Sequence, residues 1–120
     1  MHVYIRSFAE TPTVHLKCAI YSDVSGTPTS LVDYTEQRTF GTDVDGWVAF
    51  TFVGSGNLVA GSDYWLIVWT DAYYYSRSSG TGSTSQDVVG YSSYNSFPST
   101  FPSGAFNNNK VLIYCTYEET

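Results

Sequence analysis

The sequence predicts an all-β, antiparallel, jelly-roll-like sandwich of about eight strands. Two observations carry this. Apolar residues recur at every second position in the stretches 14–23 and 110–119, while 64–71 is apolar on both phases. Tyr and Phe are abundant, and Gly, Ser, Thr and Pro gather between the apolar runs rather than within them. Helical spacing is nowhere sustained, so no helix beyond a short turn is expected.

The elements follow in order. Residues 2–8 alternate, with Val3 and Ile5 on one face and His2, Tyr4 and Arg6 on the other. Glu10-Thr11-Pro12 turns the chain. Strand 14–21 puts Val14, Leu16, Cys18 and Ile20 inward and His15, Lys17, Ala19 and Tyr21 outward. Ser22 to Ser30 reads as a turn rich in Asp, Gly and Pro. Residues 31–40 form a polar strand near a sheet edge, carrying Asp33, Glu36 and Arg38. Asp45-Gly46 suits a hairpin turn, and strand 47–53 points Val48, Phe50 and Phe52 to one side.

A Gly-rich bend leads to 64–70, whose apolar residues on both phases predict a central strand covered on both faces. Trp65 and Trp69 share one face of it and are expected in the core; an exposed Trp47 would be informative. From 72 to 106 the pattern breaks into a long aromatic and Ser-rich loop region, with short strands expected near 72–76 and 86–92. The chain closes on strand 110–118. At 120 residues this is a single domain over 1–120.

Composition excludes several functions. Eleven acids against five scattered bases give a net charge of −6, and no basic stripe exists to follow a phosphate backbone, so nucleic acid is not an expected partner. No apolar run approaches the roughly 20 residues of a membrane-spanning helix, and MHVYIRSF lacks the apolar core of a signal peptide. The only histidines are His2 and His15. No Gly-x-Ser-x-Gly elbow occurs, and His15 and Cys18, three apart on a strand, face opposite sides. The chain is therefore not expected to be an enzyme, and no catalytic residue is assigned.

Cys18 and Cys115 both fall on inward phases. They are either buried thiols or a disulfide closing nearly the whole chain, the latter in an oxidising compartment. No Cys/His cluster suggests zinc. No cofactor is expected, beyond a structural Ca²⁺ for which Asp23, Asp43, Asp45 and Asp71 are the candidates; Asp43-Val44-Asp45-Gly46 opens like an EF-hand loop, but its twelfth position is Gly54 instead of Glu. The aromatic set Tyr73, Tyr74, Tyr75, Tyr91, Tyr94 and Phe97, with Arg77, is the candidate binding surface for a protein or a glycan, weighed against a role in covering the ends of the core.

The segments AIYSDVSGTPTSLV, DGWVAFTF, LVAGSDYWLIVWTD and KVLIYCTYEE, in that order, resemble secreted and phage-associated jelly-roll modules. The resemblance covers about residues 14 to 118. It implies an extracellular or virion-surface location and a non-catalytic structural or adhesive role in a filament, fibre or capsid surface, with a carbohydrate-binding module as the alternative. Such modules begin with a further strand before the segment equivalent to HVYIRSF. With the chain starting at that segment, this implies an open sheet edge filled by a strand from a neighbouring subunit or a partner, or else a sequence that is part of a longer chain.

Overall fold

The structure, a computed structural model, describes residues 1–6, 14–40, 45–70, 75–76, 78–87, 96–102, 105–111 and 113–116. Among these the chain is all-β and antiparallel. The strands are β1 (His2–Arg6), β2 (Val14–Val24), β3 (Thr27–Tyr34), β4 (Arg38–Phe40), β5 (Asp45–Ala49), β6 (Tyr64–Thr70), β7 (Tyr75–Ser76), β8 (Ser78–Asp87), β9 (Ala105–Val111) and β10 (Ile113–Tyr114).

One sheet is built on β1, which pairs with β5 along one flank and with β10 and β7 along the other. The second is built on β2, with β6 on one flank and β3 and β4 end to end on the other. β8 and β9 form a separate ribbon. The two sheets face each other across one core. Val3 and Val48 enter it from the first sheet, and Leu16, Cys18, Ile20 and Phe40 from the second, with Met1 and Phe50. Burying each large apolar side chain of this set contributes about 1.5–3 kcal/mol.

Leu16, Cys18 and Ile20 of β2 enter the core as the alternation predicts, and Val48, Phe50 and Phe52 do share the core side. That strand also joins the sheets. Phe50 N–H donates to Met1 O at 2.8 Å, continuing the pairing of β5 with β1. One residue later the chain belongs to the other sheet: Glu36 N–H donates to Thr51 O and Val53 N–H to Tyr34 O. An extended segment that changes sheets is a corner of the kind that closes sandwiches.

Three local readings need correction. Ser22 to Ser30 is mostly strand, because β2 and β3 run on to a two-residue turn at Ser25-Gly26. Both turn residues have positive φ, 54° and 81°, the type I′ geometry whose twist matches the flanking strands. Serine is strained there, so Ser25→Asn is expected to stabilise the protein by about 0.5–1 kcal/mol, raising the melting temperature by a few degrees.

Residues 31–40 are not one strand. From Leu16↔Arg38 to Ala19↔Tyr34, β2 advances three residues while its partner advances four. The extra residue makes a bulge, and the Thr35 hydroxyl fills the gap by accepting from Cys18 N–H at 2.9 Å and donating to Glu36 O at 2.9 Å. Asp45-Gly46 is not a turn. It lies inside β5, opposite Arg6 and Ile5.

The predicted loop at 72–106 contains β7 and the ten-residue β8. The sequence Ser-Ser-Gly-Thr-Gly-Ser-Thr-Ser-Gln-Asp has no apolar alternation, the pattern by which a half-buried strand is recognised. The closing strand 110–118 is two elements, β9 with β8 and β10 with β1. β1 has partners on both flanks.

Candidate functional site

The two sheets have different outer faces. On the second sheet, Lys17, Ala19 and Tyr21 stand opposite Trp69, Ile67 and Trp65 of β6. This face is covered. Ala19 and Tyr21 have no exposed surface. The cover is the segment 96–102, which pairs with β3 through Leu31 N–H to Ser99 O and Phe101 N–H to Thr29 O. The Tyr21 hydroxyl donates to Pro98 O at 2.5 Å, and its ring meets Phe97 and Phe101 edge-on at 6.4 and 5.0 Å. Phe97 also lies 5.3 Å from Trp69, and Lys17 Nζ sits over both rings, at 5.3 and 4.8 Å. Burial lowers the pKa of Lys17.

This second aromatic layer accounts for the two-faced apolarity of β6. It also corrects one expectation: Trp65 and Trp69 share a face, but that face is turned away from the core between the sheets. Of the predicted aromatic set, Phe97 is part of this cover. Tyr75 lies in β7 opposite Arg6. Tyr73, Tyr74, Arg77, Tyr91 and Tyr94 lie outside the described residues.

The outer face of the first sheet is different. Register aligns Tyr114, His2 and Ala49 in one row, Tyr4 and Trp47 in the next, and Tyr75, Arg6 and Asp45 in the third. The alternate rows hold Ile113, Val3 and Val48, then Ser76, Ile5 and Gly46. Val3 is fully buried and Val48 and Ile113 pack in or on the core, so the first set of rows lies on the face turned away from it, where His2 is half-buried and its Nδ1 buried. Trp47 is 49% exposed on it, and Ala49 is exposed beside it. Sequence reading separated the two faces of β1. It did not reach the array, because the array depends on which strands become its neighbours.

Of the candidate metal ligands, Asp23 and Asp45 are described, and they lie on different sheets. Asp23 ends β2 and uses both oxygens: Oδ1 accepts from Trp65 Nε1 at 2.7 Å and Oδ2 from Gly26 N–H at 3.1 Å. Asp45 belongs to the other sheet, and Asp43 and Asp71 lie outside the described residues. No group of three His, Cys, Asp or Glu residues placed to hold a metal occurs among the described residues.

Asp33 is a structural carboxylate that sequence reading placed only on a polar edge strand. It is buried, and it accepts from Tyr34 N–H at 2.8 Å, Gly54 N–H at 3.1 Å and Gly56 N–H at 3.1 Å. It holds the loop that carries Leu58 over the core. The Gly-x-Gly spacing in VGSGN was the available signal. A Cβ at Gly56 would lie 2.7 Å from Asp33 Cβ, so the loop can approach only without one.

Cys18 and Cys115 are both free thiols, Cys18 buried and Cys115 packed against the core. Burial pushes Cys18 up to about 12, and the Met1 ammonium and the Thr35 hydroxyl pull the other way without offsetting it. A neutral thiol is a poor nucleophile, so a maleimide at about pH 8 is expected to modify Cys18 only after unfolding, as read by mass spectrometry. Because the folded value exceeds the unfolded one, this contribution to stability is complete below 9.0 and is lost as pH rises toward about 12.

No protein-family model, curated protein or solved structure matches this chain.

Proposed function

We propose that this chain is a non-catalytic contact module, structural or adhesive, in an extracellular or virion-surface assembly, with the connectivity of a jelly roll. The observation that carries the reading is the outer face of the first sheet. It presents Trp47, half of whose surface is exposed, and the exposed Ala49, whereas the matching face of the second sheet is covered by the segment 96–102. A large exposed aromatic side chain on a sheet is the kind of residue that contact surfaces use.

The interior supports the same reading. Asp33 and Asp23 spend their oxygens on backbone and indole N–H groups, and Cys18 is held neutral in the core. These groups stabilise the fold; they are not poised for proton or acyl transfer.

Electron microscopy and sedimentation of the native material test the proposal. Ordered fibres, shells or surface layers containing the chain support it, as does attachment to a cell or particle surface. A dispersed monomer that adheres to neither itself nor any surface overturns it.

A further inference from the structure

We propose that Cys18 and Cys115 form a redox lock: a small-molecule disulfide of the surrounding medium oxidises the two thiols to a bridge across the core, tying β2 to the end of β10. The lock goes beyond the contact-module reading, since it concerns the core and not the outer faces.

Both thiols belong to one cluster. Cys18 is fully buried in the core on β2 of the second sheet, and Cys115 packs against the same cluster from the end of β10 in the first. The ladder places Cys115 more closely. Ile113 stands opposite Val3 and Tyr114 opposite His2, so the next step along the two segments sets Cys115 beside Met1. Met1 is itself buried in the cluster, and its ammonium is near enough to Cys18 to act on the thiol. Met1 therefore lies next to both cysteines, one from each sheet. They are the two cysteines of the whole chain, so neither has a competing partner within it.

The two positions differ in freedom and access. Stacked sheets stand about 10 Å apart, whereas a disulfide joins Cα atoms about 4.4–6.8 Å apart. The chain must therefore close in locally, and Cys115 is the residue that can move. It follows the last ladder pair of β10 and belongs to no strand, and its thiol is held by a weak bond, donating to Thr116 O at 3.5 Å. Its partial burial also leaves it within reach of a small disulfide. Cys18 lies inside a strand paired on both flanks and has no exposed surface.

The chemistry is two thiol–disulfide exchanges. The Cys115 thiolate attacks oxidised glutathione, bonds to one half and releases the other as a thiolate. Cys18 then attacks the Cys115 sulfur, and the second glutathione leaves with the Cys18 proton. The chain loses two hydrogens with two electrons, and one oxidised glutathione becomes two reduced ones. Burial keeps the Cys18 thiol neutral, so the second exchange is the slower. The bridge closes a loop on the order of 100 residues, which restricts the unfolded chain most where the loop is long.

The test incubates the full chain with oxidised glutathione until its mass no longer changes. The sample is then unfolded in guanidinium with N-ethylmaleimide and weighed by mass spectrometry. The expected product is a monomer about 2 Da lighter with no alkylated cysteine. It should melt about 10 °C above the same sample treated with dithiothreitol. Cys18→Ala should stop at glutathione on Cys115, and Cys115→Ser should leave Cys18 without glutathione.

Two alkylated cysteines after oxidation, glutathione retained on Cys115 of the unaltered chain, or bridges formed between copies alone overturn the proposal. So does a bridged monomer that melts no higher than the reduced one. These readings come from the unaltered chain, so they decide the matter even where Cys18→Ala fails to fold.

Discussion

Asp33→Ala is expected to destabilise the protein by about 3–5 kcal/mol, lowering the urea midpoint by about 2 M. Three backbone N–H groups converge on this carboxylate, two of them from a loop 21 and 23 residues away. Removing the carboxylate leaves these donors without an acceptor where water has limited access, and each orphaned donor costs about 1–3 kcal/mol. The loop also loses its tether, and with it the placement of Leu58 against the core.

Two further substitutions make this prediction specific. Asp33→Asn keeps one acceptor oxygen but turns an amide donor toward a glycine N–H, so it should lose about half of the effect. Gly56→Ala leaves the carboxylate intact and places a methyl 2.7 Å from Asp33 Cβ. The backbone must shift, at a cost of about 1–3 kcal/mol. An Asp33→Ala loss below about 1 kcal/mol would show that the clamp does not form.

Tyr21→Ala should have an effect of the same size, about 3–5 kcal/mol, for a different reason. Tyr21 is completely buried, yet not in the core between the sheets. Its ring carries Phe97 and Phe101, and its hydroxyl holds Pro98. Truncation leaves a cavity under the 96–102 segment and removes its side-chain anchor, leaving the short pairing with β3 to hold it. Hydrogen exchange at the Leu31 and Phe101 amides, which donate across that pairing, should therefore be faster in Tyr21→Ala. Leu16→Ala, an equally buried change on the core face, should lower stability comparably without a matching local rise at those two amides. Tyr21→Phe keeps the ring and should cost only about 1 kcal/mol. Equal exchange at these amides in the Tyr21 and Leu16 variants would mean that the segment is not anchored as described.

Both predictions concern residues whose importance the sequence half disclosed. Tyr21 was legible as the outward neighbour of Ile20, but not as a buried residue. Its burial comes from a segment 76 to 80 residues further on, which carries no periodic pattern of its own. Asp33 was legible as a charge on a polar strand. Its role needs Gly54 and Gly56 beside it, and the corner at Phe50 to Thr51 is what brings that loop to the edge of β3.

The candidate site divides the same way. Alternation placed His2, Tyr4 and Arg6 together on β1, and it set Trp47 on the side of its strand away from Val48 and Phe50. The predicted binding aromatics, chosen for clustering in sequence, included Phe97, which serves as cover, and Tyr75, which pairs with Arg6 at the flank of β1. Clustering along the chain is a weak guide in a β protein, since neighbours across a ladder come from distant segments.

By itself the sequence determined the all-β class, the inward set Leu16, Cys18, Ile20, Val48, Phe50 and Phe52, and the two-faced apolarity of β6, because strand periodicity and burial are local properties written in one segment at a time. The tertiary structure alone decided which strands are neighbours, and hence the Asp33 clamp, the cover over Tyr21 and the aromatic rows around Trp47. Pairing and register are set by free energy summed over contacts between remote segments, and no single segment records that sum.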